Sequence, residues 1–514
     1  MSTKFICLKN VMAILLSINI LSCSSSNSSI EELPYLTVKS VSPQNLAAAG
    51  GEITIRVSSY PIATAQSDAG WITLKSNTSS DSLTSFTFTA KANKGNAREA
   101  GITITAGEKE TSIIITQAAN NEQESKPAID ENLPAVKVAK ELGLGWNLGN
   151  QLDAHVNEIA DETSWGNGKV TQETLLKVKQ AGFTSVRIPV TWLGKVGEAP
   201  HYHIDTDWMN RVAEVVEYAE KAGLKAIINI HHDGHRHIHE DGFDEHRWLD
   251  IVGAAQNKDM NTAIKEQLKS MWTQIAQRFE NKGEFLIFEG LNEIHDGRWG
   301  SGTNTTDGGK QYAILNEWQQ VFVDAVRATG GNNATRYLGI SGYCTSPNLT
   351  IKHLQLPAQD RLLISVHYYD PATFALEDKF AEWGHTGAPS KKESWGDEEH
   401  LKKVFAALRT AYVEKGIPVY IGEMGCVHRN NNRSEAFRKY YLEYVCKAAR
   451  TNGMAVFYWD NGNAGAGREC SGLMNHTTGT YVNNGKDVID VMTKGYFSND
   501  PSYTLESLYN NAPQ

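Results

Sequence analysis

Short apolar runs alternate with amphipathic stretches from about residue 135 onward. The runs are rich in Leu, Ile, Val and Phe and are short, as expected for buried strands. In one amphipathic stretch Trp208, Val212 and Ala219 share a helical face, and Gly223 follows as a stop signal. Eight strands that alternate with helices predict a (β/α)₈ barrel over 135–514. An open doubly wound sheet is the alternative, but no Gly-x-Gly-x-x-Gly follows the first run. The eight runs cover 142–148, 185–190, 224–230, 285–291, 337–340, 362–366, 419–422 and 454–459.

Residues 35–118 follow a different pattern, in which apolar and polar side chains alternate. This period of two, with β-branched residues and turn signals such as Gly50-Gly51, predicts a small all-β, immunoglobulin-like sandwich. The segment resembles a BACON domain in its Gly-Gly pair, in Trp71, and in a closing strand that ends at Gln117. It carries no carboxylate pair or histidine cluster, so we expect a rigid spacer or a glycan-binding module. The predicted strands include 52–58, 85–89, 101–105 and 111–117.

The N-terminus predicts export and membrane attachment. Lys4 and Lys9 precede an apolar run that is short for a membrane span and typical of a signal peptide, so we assign residues 1–22 to a lipoprotein signal. The sequence before Cys23 resembles a bacterial lipoprotein cleavage site, which would leave Cys23 lipidated. We therefore expect a lipid-anchored protein of the cell envelope, at the outer membrane. A plain cleaved signal peptide is the alternative. Residues 119–134 are polar and predict a linker.

The net charge, the aromatic residues and the cysteines of the chain indicate which ligands are expected. The net charge of −10 gives no reason to expect nucleic-acid binding, which requires a clustered basic surface. The twelve Trp and 19 Tyr suit core packing, and their faces are also surfaces on which sugars stack. Cys344, Cys426, Cys446 and Cys470 match no zinc motif, and free buried thiols are the default expectation.

Polar, ionisable or aromatic residues follow nearly every predicted barrel strand. In a (β/α)₈ barrel the carboxyl ends of the strands meet at the face that holds active sites. Glu293 and Glu423 each close an apolar run, and two carboxylates that face each other across a cleft are the minimum equipment for cleaving a glycosidic bond. The other residues of this set are Asn147, Asn150, Arg187, His231, His232, Asp233, Asn292, His367, Tyr369 and Trp459.

These strand ends also resemble glycoside hydrolase family 5, a family of secreted endo-acting β-glycanases. The motifs occur in the family's order, and the first is most similar to the branch that contains endo-β-1,4-glucanases and xyloglucanases. One departure is Ile294, where a proline often follows the acid/base glutamate; it bears only on substrate detail. The matching stretches are 145–150, 186–190, 228–233, 291–293, 367–369, 421–423 and 458–459.

The resemblance implies a role for each matching residue. Glu423 would be the nucleophile and Glu293 the general acid and then base of a retaining double displacement. A neighbouring carboxylate should raise the pKa of the one that stays protonated, Glu293. Arg187 would keep Glu423 ionised, and Asn292 would bind the sugar 2-hydroxyl. The remaining implied contacts are His231 and His232 to the sugar, His367 and Tyr369 to the nucleophile or the substrate, and Trp459 as a stacking floor.

Two segments invite other interpretations. The histidines from His231 to His246 could suggest a metal, but the spacing is not His-Glu-x-x-His, so a substrate-lining loop is favoured over a metal site. The Gly-rich stretch 297–309 lacks the Gly-Lys-Ser/Thr of a phosphate loop and predicts a cleft-edge loop, with Trp299 as a candidate sugar platform. We therefore predict no metal and no cofactor.

The leading hypothesis is a monomeric endo-β-1,4-glucanase that hydrolyses internal bonds of plant cell-wall glucans. Within enzymes, the alternatives are an endo-xyloglucanase, a mixed-linkage β-glucanase or a glucomannanase. An alternative from another class is a surface glycan-binding lipoprotein whose barrel has lost catalysis. The presence of both Glu293 and Glu423 argues against this non-catalytic alternative, because a binding protein has no need of both carboxylates.

Overall fold

The computed structural model divides the chain into two compact units, Met1–Pro127 and Ala128–Gln514. It describes residues 33–48, 50–93, 97–118, 128–234, 247–299 and 307–514. The signal segment, Cys23 and residues 119–127 of the predicted linker lie outside these ranges. Ile129 is buried in the barrel core, six residues ahead of the predicted boundary at 135. Over the described ranges, no helix is both long and apolar enough to cross a bilayer.

The first unit is a sandwich of two four-stranded sheets, ordered β1-β3-β6-β5 and β2-β8-β7-β4. Apolar residues alternate along β3 and β6, so that Ile53, Ile55, Phe86 and Phe88 are all fully buried in one core. The predicted all-β sandwich is confirmed. The strands are β1 Tyr35–Ser42, β2 Asn45–Leu46, β3 Gly51–Tyr60, β4 Thr64–Ser67, β5 Ile72–Ser80, β6 Leu83–Ala90, β7 Arg98–Ala106 and β8 Lys109–Gln117.

The second unit contains a closed barrel of eight parallel strands in the order β12-β13-β14-β15-β16-β17-β18-β9. The predicted (β/α)₈ barrel is therefore confirmed, and every strand begins and ends within two residues of its predicted bounds. A separate hairpin, β10 His155–Val156 with β11 Ile159–Ala160, follows the first barrel strand. The barrel strands are β9 Leu144–Leu148, β12 Ser185–Ile188, β13 Lys225–Asn229, β14 Leu286–Glu289, β15 Leu338–Ser341, β16 Leu362–His367, β17 Val419–Met424 and β18 Ala455–Asp460.

Helices surround the barrel with one apolar face turned inward. The predicted helix with Trp208 is α3, whose N-cap Asp205 accepts a hydrogen bond from the Trp208 amide, and Gly223 follows its end with a φ of 67°. The helices are α1 Pro134–Leu142, α2 Gln172–Gln180, α3 Thr206–Lys221, α4 Ile251–Gln256, α5 Lys258–Arg278, α6 Lys310–Ala328, α7 Pro347–His353, α8 Ala372–Ala375, α9 Glu398–Ala411, α10 Asn432–Thr451, α11 Gly485–Phe497 and α12 Leu505–Asn510. Short 3₁₀ turns cover Gly331–Ala334, Tyr343–Thr345 and Val413–Lys415.

An irregularity in β17 decides which of its side chains enter the barrel. The pairing of β17 with both neighbouring strands shifts register near Glu423. Tyr420 and Glu423 are three residues apart, so in a regular strand they would face opposite sides of the sheet. Both instead bond to groups inside the barrel, because the extra residue of a bulge turns the later side chain inward.

The four cysteines within the described ranges, Cys344, Cys426, Cys446 and Cys470, are free thiols. All but Cys344 are buried. This agrees with the default expectation from their spacing.

Candidate active site

Glu293 and Glu423 approach each other at the carboxyl-terminal face of the barrel. Glu293 follows β14 and Glu423 lies in β17, two strands that are not adjacent. His367 connects them, since its Nδ1 lies 2.6 Å from Glu293 Oε1 and 3.5 Å from Glu423 Oε2. A carboxylate oxygen of each glutamate lies within 4.8 Å of the other. This is compatible with the carboxyl separation of about 5–5.5 Å found in retaining glycosidases.

Arg187 is fully buried and holds Glu423 from inside the barrel. Its Nη1 donates to Glu423 Oε1 at 2.8 Å, and its Nη2 donates to Asn292 Oδ1 at 2.7 Å. Burial lowers the pKa of the guanidinium, but Glu289 and Glu423 outweigh this and keep the pKa above its usual value. Arg187 is therefore a permanent cation, and a buried cation persists only where counter-charges surround it.

Glu289 is a third buried carboxylate, which the sequence analysis did not single out. It accepts a two-pronged hydrogen bond from Arg187, at 3.1 Å from Nε and 2.6 Å from Nη2. A signal for it was present, because Glu289 lies two residues after Ile287 in a strand and must share its inward face. An ionisable side chain inside a barrel needs a partner, and Arg187 was the available cation.

Tyr369 donates its hydroxyl hydrogen to Glu423 Oε2 at 3.1 Å. Burial and the charge of Glu423 raise its pKa well above the usual value, so the hydroxyl remains a donor. Since His367 bonds to Glu293, both residues of the predicted His-Tyr pair face the two carboxylates, as their spacing of two predicted.

The histidine pair divides between two positions. His231 stacks on Trp459 with ring centroids 5.7 Å apart and planes 5° from parallel, and its Nε2 lies 3.9 Å from Glu423 Oε1. His232 lies beside Asp153, with its Nε2 3.6 Å from Asp153 Oδ2. Of the two histidines, His231 is therefore the one that lies beside Glu423, with Trp459 stacked on its ring.

The hairpin β10–β11 forms part of the cleft wall. Its turn residue Glu158 has a φ of 57°, yet it is only 5% exposed. Its carboxylate accepts from Arg247 Nε at 2.9 Å, and Arg247 also donates to the carbonyl oxygen of His232 at 2.9 Å. Trp165 is 38% exposed and lies 5.4 Å from the His232 ring. Arg247 thus ties the hairpin to His232, and Trp165 is attached to the hairpin by its own bond from Nε1 to the His155 carbonyl oxygen.

A depression of about 310 Å³ opens beside Glu293. It is lined by His231, His232, Gly234, Arg247, Asn292, Glu293, His295 and Trp299. Trp299, the candidate sugar platform, is 56% exposed. Imidazole, amide and indole groups in an open depression suit a polyhydroxylated ligand.

The pKa values of the two central carboxyls diverge. Burial raises the pKa of Glu423; His367 and Arg187 act against this increase and Glu293 adds to it. Burial acts to raise the pKa of Glu293 as well, but His367 and other histidines outweigh it and lower that pKa. The sequence expectation for Glu293 was the reverse. It was wrong because it considered the neighbouring carboxylate and not the hydrogen bond from His367.

Histidine and carboxylate donors come together twice within the described ranges, as Asp153 with His231 and His232, and as Glu293 with His367 and Glu423. In the second cluster the oxygens already accept hydrogen bonds from protein groups. We assign no metal to either cluster. The histidines 235, 237, 239 and 246 lie outside the described residues.

A closed (β/α)₈ barrel that brings two carboxylates from non-adjacent strands together at its carboxyl-terminal face is the architecture of a retaining glycoside hydrolase. The chain belongs to glycosyl hydrolase family 5, the cellulase family, whose profile matches residues 149–465. Residues 60–118 match the BACON profile, a putative N-terminal binding domain. The family resemblance seen in the strand-end motifs is thereby confirmed, and the chain is a glycoside hydrolase.

Three relatives illustrate the similarity. The structure of a broad-specificity endoglucanase from Bacteroides salanitronis is 57% identical, covers 72% of this chain and 97% of its own, and superposes with a TM-score of 0.68. Endoglucanase A of Paenibacillus barcinonensis is 38% identical, over 64% of this chain and 83% of its own length. A xyloglucan-specific endo-β-1,4-glucanase from Bacteroides ovatus is 32% identical, over 66% of this chain and 69% of its own length.

Proposed function

We propose that this protein is an endo-β-1,4-glucanase that cleaves internal bonds of plant cell-wall glucans by double displacement. The observation that carries the proposal is the pair Glu293 and Glu423, held within reach of each other and joined through His367. Glu423 is the nucleophile: Arg187 and Tyr369 aim its two oxygens, and its attack on the anomeric carbon forms a glycosyl ester.

Glu293 is the general acid and then the general base. Its proton goes to the glycosidic oxygen as that bond breaks, and the carboxylate then removes a proton from the water that hydrolyses the ester. To act as the acid, Glu293 must hold the proton of the pair when the sugar is bound. His367 Nδ1 contacts both carboxyls, at 2.6 Å from Glu293 Oε1 and 3.5 Å from Glu423 Oε2.

Binding roles follow from position. Asn292, oriented by Arg187, binds the 2-hydroxyl beside the reacting carbon, a contact that strengthens in the transition state. Trp459, backed by the parallel ring of His231, is the stacking floor for that sugar. His232 contacts the sugar farther along the wall that Arg247 holds.

The first prediction concerns the substrate. We expect the full chain to hydrolyse soluble β-1,4-linked glucans, namely carboxymethylcellulose, mixed-linkage β-glucan and xyloglucan, and to release oligosaccharides of mixed length with the β configuration retained. Reducing-sugar assays on a polysaccharide panel, chromatography of early products, and proton NMR of the newly formed anomeric centre check this. The relative rates separate the glucanase from the xyloglucanase, mixed-linkage glucanase and glucomannanase alternatives. Measurable binding without hydrolysis of any β-glucan would instead support the non-catalytic alternative.

The N-terminal segments give a proposal about location. We propose that Cys23 is lipidated and anchors the protein to the outer membrane, that residues 35–118 are a spacer, and that the barrel acts as a monomer. The support is the sequence before Cys23, and the absence of a carboxylate pair in 35–118.

The second prediction tests the anchor. In a Gram-negative host, C23A should move the protein from the membrane fraction to the soluble fraction, because the acyl chains that hold it would be missing. Immunoblots of separated fractions check this, with glucanase activity per molecule as the control for folding. Recovery of the unaltered protein in the soluble fraction, or of C23A in the membrane, would contradict the proposal.

A further inference from the structure

Glu289 gathers hydrogen bonds from four different strands of the barrel. Besides the fork of Arg187 on β12, it accepts from Asn229 Nδ2 on β13 at 3.1 Å and from Ser365 Oγ on β16 at 3.3 Å. The Tyr420 hydroxyl on β17 donates to its Oε2 at 2.5 Å. Glu289 and Arg187 are fully buried, so no sugar can touch either group. Glu289 can act on the reaction only through its neighbours.

Arg187 forms hydrogen bonds with two carboxylates, those of Glu289 and Glu423. Its Nε and Nη2 donate to Glu289. Its Nη1 donates both to Glu423 and, at 3.0 Å, to Asn147 Oδ1. A guanidinium is planar and rigid, so the direction of the fork on Glu289 fixes where Nη1 meets the other carboxylate. The negative charge of Glu289 offsets part of the positive charge of Arg187. Arg187 therefore stabilises the Glu423 anion less than it would without Glu289.

We propose that Glu289 is a positioning residue that sets the basicity of the nucleophile by competing with Glu423 for Arg187. The inference rests on the proposed function, because it assigns Glu423 the attack on the sugar. If Arg187 fully neutralised the Glu423 carboxylate, Glu423 would be a weak nucleophile. Without Arg187, Glu423 would stay protonated. The counter-charge of Glu289 keeps Glu423 between these limits.

Other groups also face Glu423 and act on its ionisation. They are Arg187, Glu293, His367, Tyr369 and His231. E289Q changes none of these five residues and removes one buried negative charge that lies behind Arg187. Y420F also changes none of them and removes a donor to Glu289. The two variants therefore change the same interaction in opposite directions.

The signs follow from the charges. Without the negative charge at residue 289, Arg187 has only one carboxylate partner, the anion of Glu423 is stabilised, and its pKa falls. Glu423 and Glu293 titrate as a pair, so the acidic limb of kcat/KM reports a pKa of the pair. Stabilising the Glu423 anion lowers that pKa, so E289Q should move the limb to lower pH by about one unit. Y420F removes one hydrogen-bond donor from Glu289, whose negative charge then attracts Arg187 more strongly. The Glu423 anion is stabilised less, so the pKa of Glu423 rises and the acidic limb moves to higher pH by a few tenths of a unit.

The third prediction combines these shifts with a split between kinetic constants. E289Q should lower kcat by roughly 10–100-fold, because the fork on Arg187 is misdirected, and should leave KM within about twofold. pH profiles on a soluble glucan, with thermal unfolding to verify folding, check both variants. E382Q is the matched control: Glu382 is also a buried carboxylate in a fork with Arg433, but it has no bond to the cleft residues, so the limb should stay in place.

Opposite shifts in E289Q and Y420F support the inference. Loss of kcat with an unmoved limb, or shifts of E289Q and Y420F in the same direction, overturns it, because a merely structural role predicts no ordered change. If E289Q does not fold, S365A replaces it as a second removal of a donor to Glu289. S365A and Y420F should then both move the limb to higher pH, and an unmoved limb in both, or a shift to lower pH, overturns the inference. An unaltered chain that hydrolyses no glucan would instead refute the proposed function, and this inference with it.

Discussion

E423Q is expected to reduce hydrolysis of every glucan by roughly four to six orders of magnitude, the scale of losing a covalent nucleophile. Glutamine has the same shape but is a poor nucleophile, so no glycosyl ester forms. Its amide oxygen can still accept from Arg187, and its NH2 group can donate to the Tyr369 hydroxyl oxygen once that hydroxyl hydrogen turns away, so the fold should persist. Glycan binding should persist too, because Trp459 and Asn292 are unchanged. Initial rates and calorimetric titration with a glucan oligosaccharide measure the two effects separately.

The control for E423Q is again E382Q, a buried glutamate-to-glutamine change outside the cleft, which should retain activity. Residual hydrolysis by E423Q within about a hundredfold of the unaltered chain would contradict the assignment of the nucleophile. Loss of binding together with activity would mean that the variant had lost its fold or its cleft. Thermal unfolding distinguishes these two cases.

E293A is expected to show a loss that depends on the leaving group. On polysaccharide the rate should fall by about 10²–10⁴-fold, because protonation of the glycosidic oxygen and activation of water are both lost. On an aryl cellobioside with an acidic phenol the first step needs little protonation, so the ester should form and accumulate as a burst. The basic limb of the pH profile should also disappear, since it reports the group that must be protonated.

Added azide should restore turnover of the aryl substrate by E293A, because this anion attacks the ester without base assistance and fits where the carboxylate was removed. Formation of a β-configured glycosyl azide would show that the covalent intermediate lies on the opposite face. Azide should have no such effect on E423Q, which forms no ester. Equal losses on both substrate types with no azide response would contradict the role of Glu293.

Much of the barrel could be predicted from sequence. Its strands are mostly apolar because both faces of a parallel sheet are covered, so each run was visible as a mainly hydrophobic segment. The end of each run fixed where polar residues would emerge, and Glu293, Glu423, Asn292, His367, Tyr369 and Trp459 were found in that way. In the sandwich, the four edge strands β1, β2, β4 and β5 were missed. Strands β2 and β4 are two to four residues long and show no clear period, and β5 is exposed along nearly its whole length.

Sequence reasoning failed where side chains from distant strands share one group. Arg187 was expected to keep Glu423 ionised, but the sequence did not show that most of its hydrogen bonds go to other groups, two of them to Glu289. The bulge that turns both Tyr420 and Glu423 inward has no local signal either. Nor did the sequence indicate that the hairpin residue Glu158 is buried against Arg247.

The sequence by itself determined which two carboxylates close the apolar strands and on which face of a barrel they lie, because strand order and the alternation of side chains are local properties. Only the tertiary structure decided how those carboxylates differ. His367 bonds to Glu293, whereas Arg187 and Tyr369 bond to Glu423. Because these groups are buried, each electrostatic interaction is stronger than it would be in water. Ionisation depends on the charges around a group in space, and here residues on or just after β12, β14, β16 and β17, which are far apart along the chain, supply those charges.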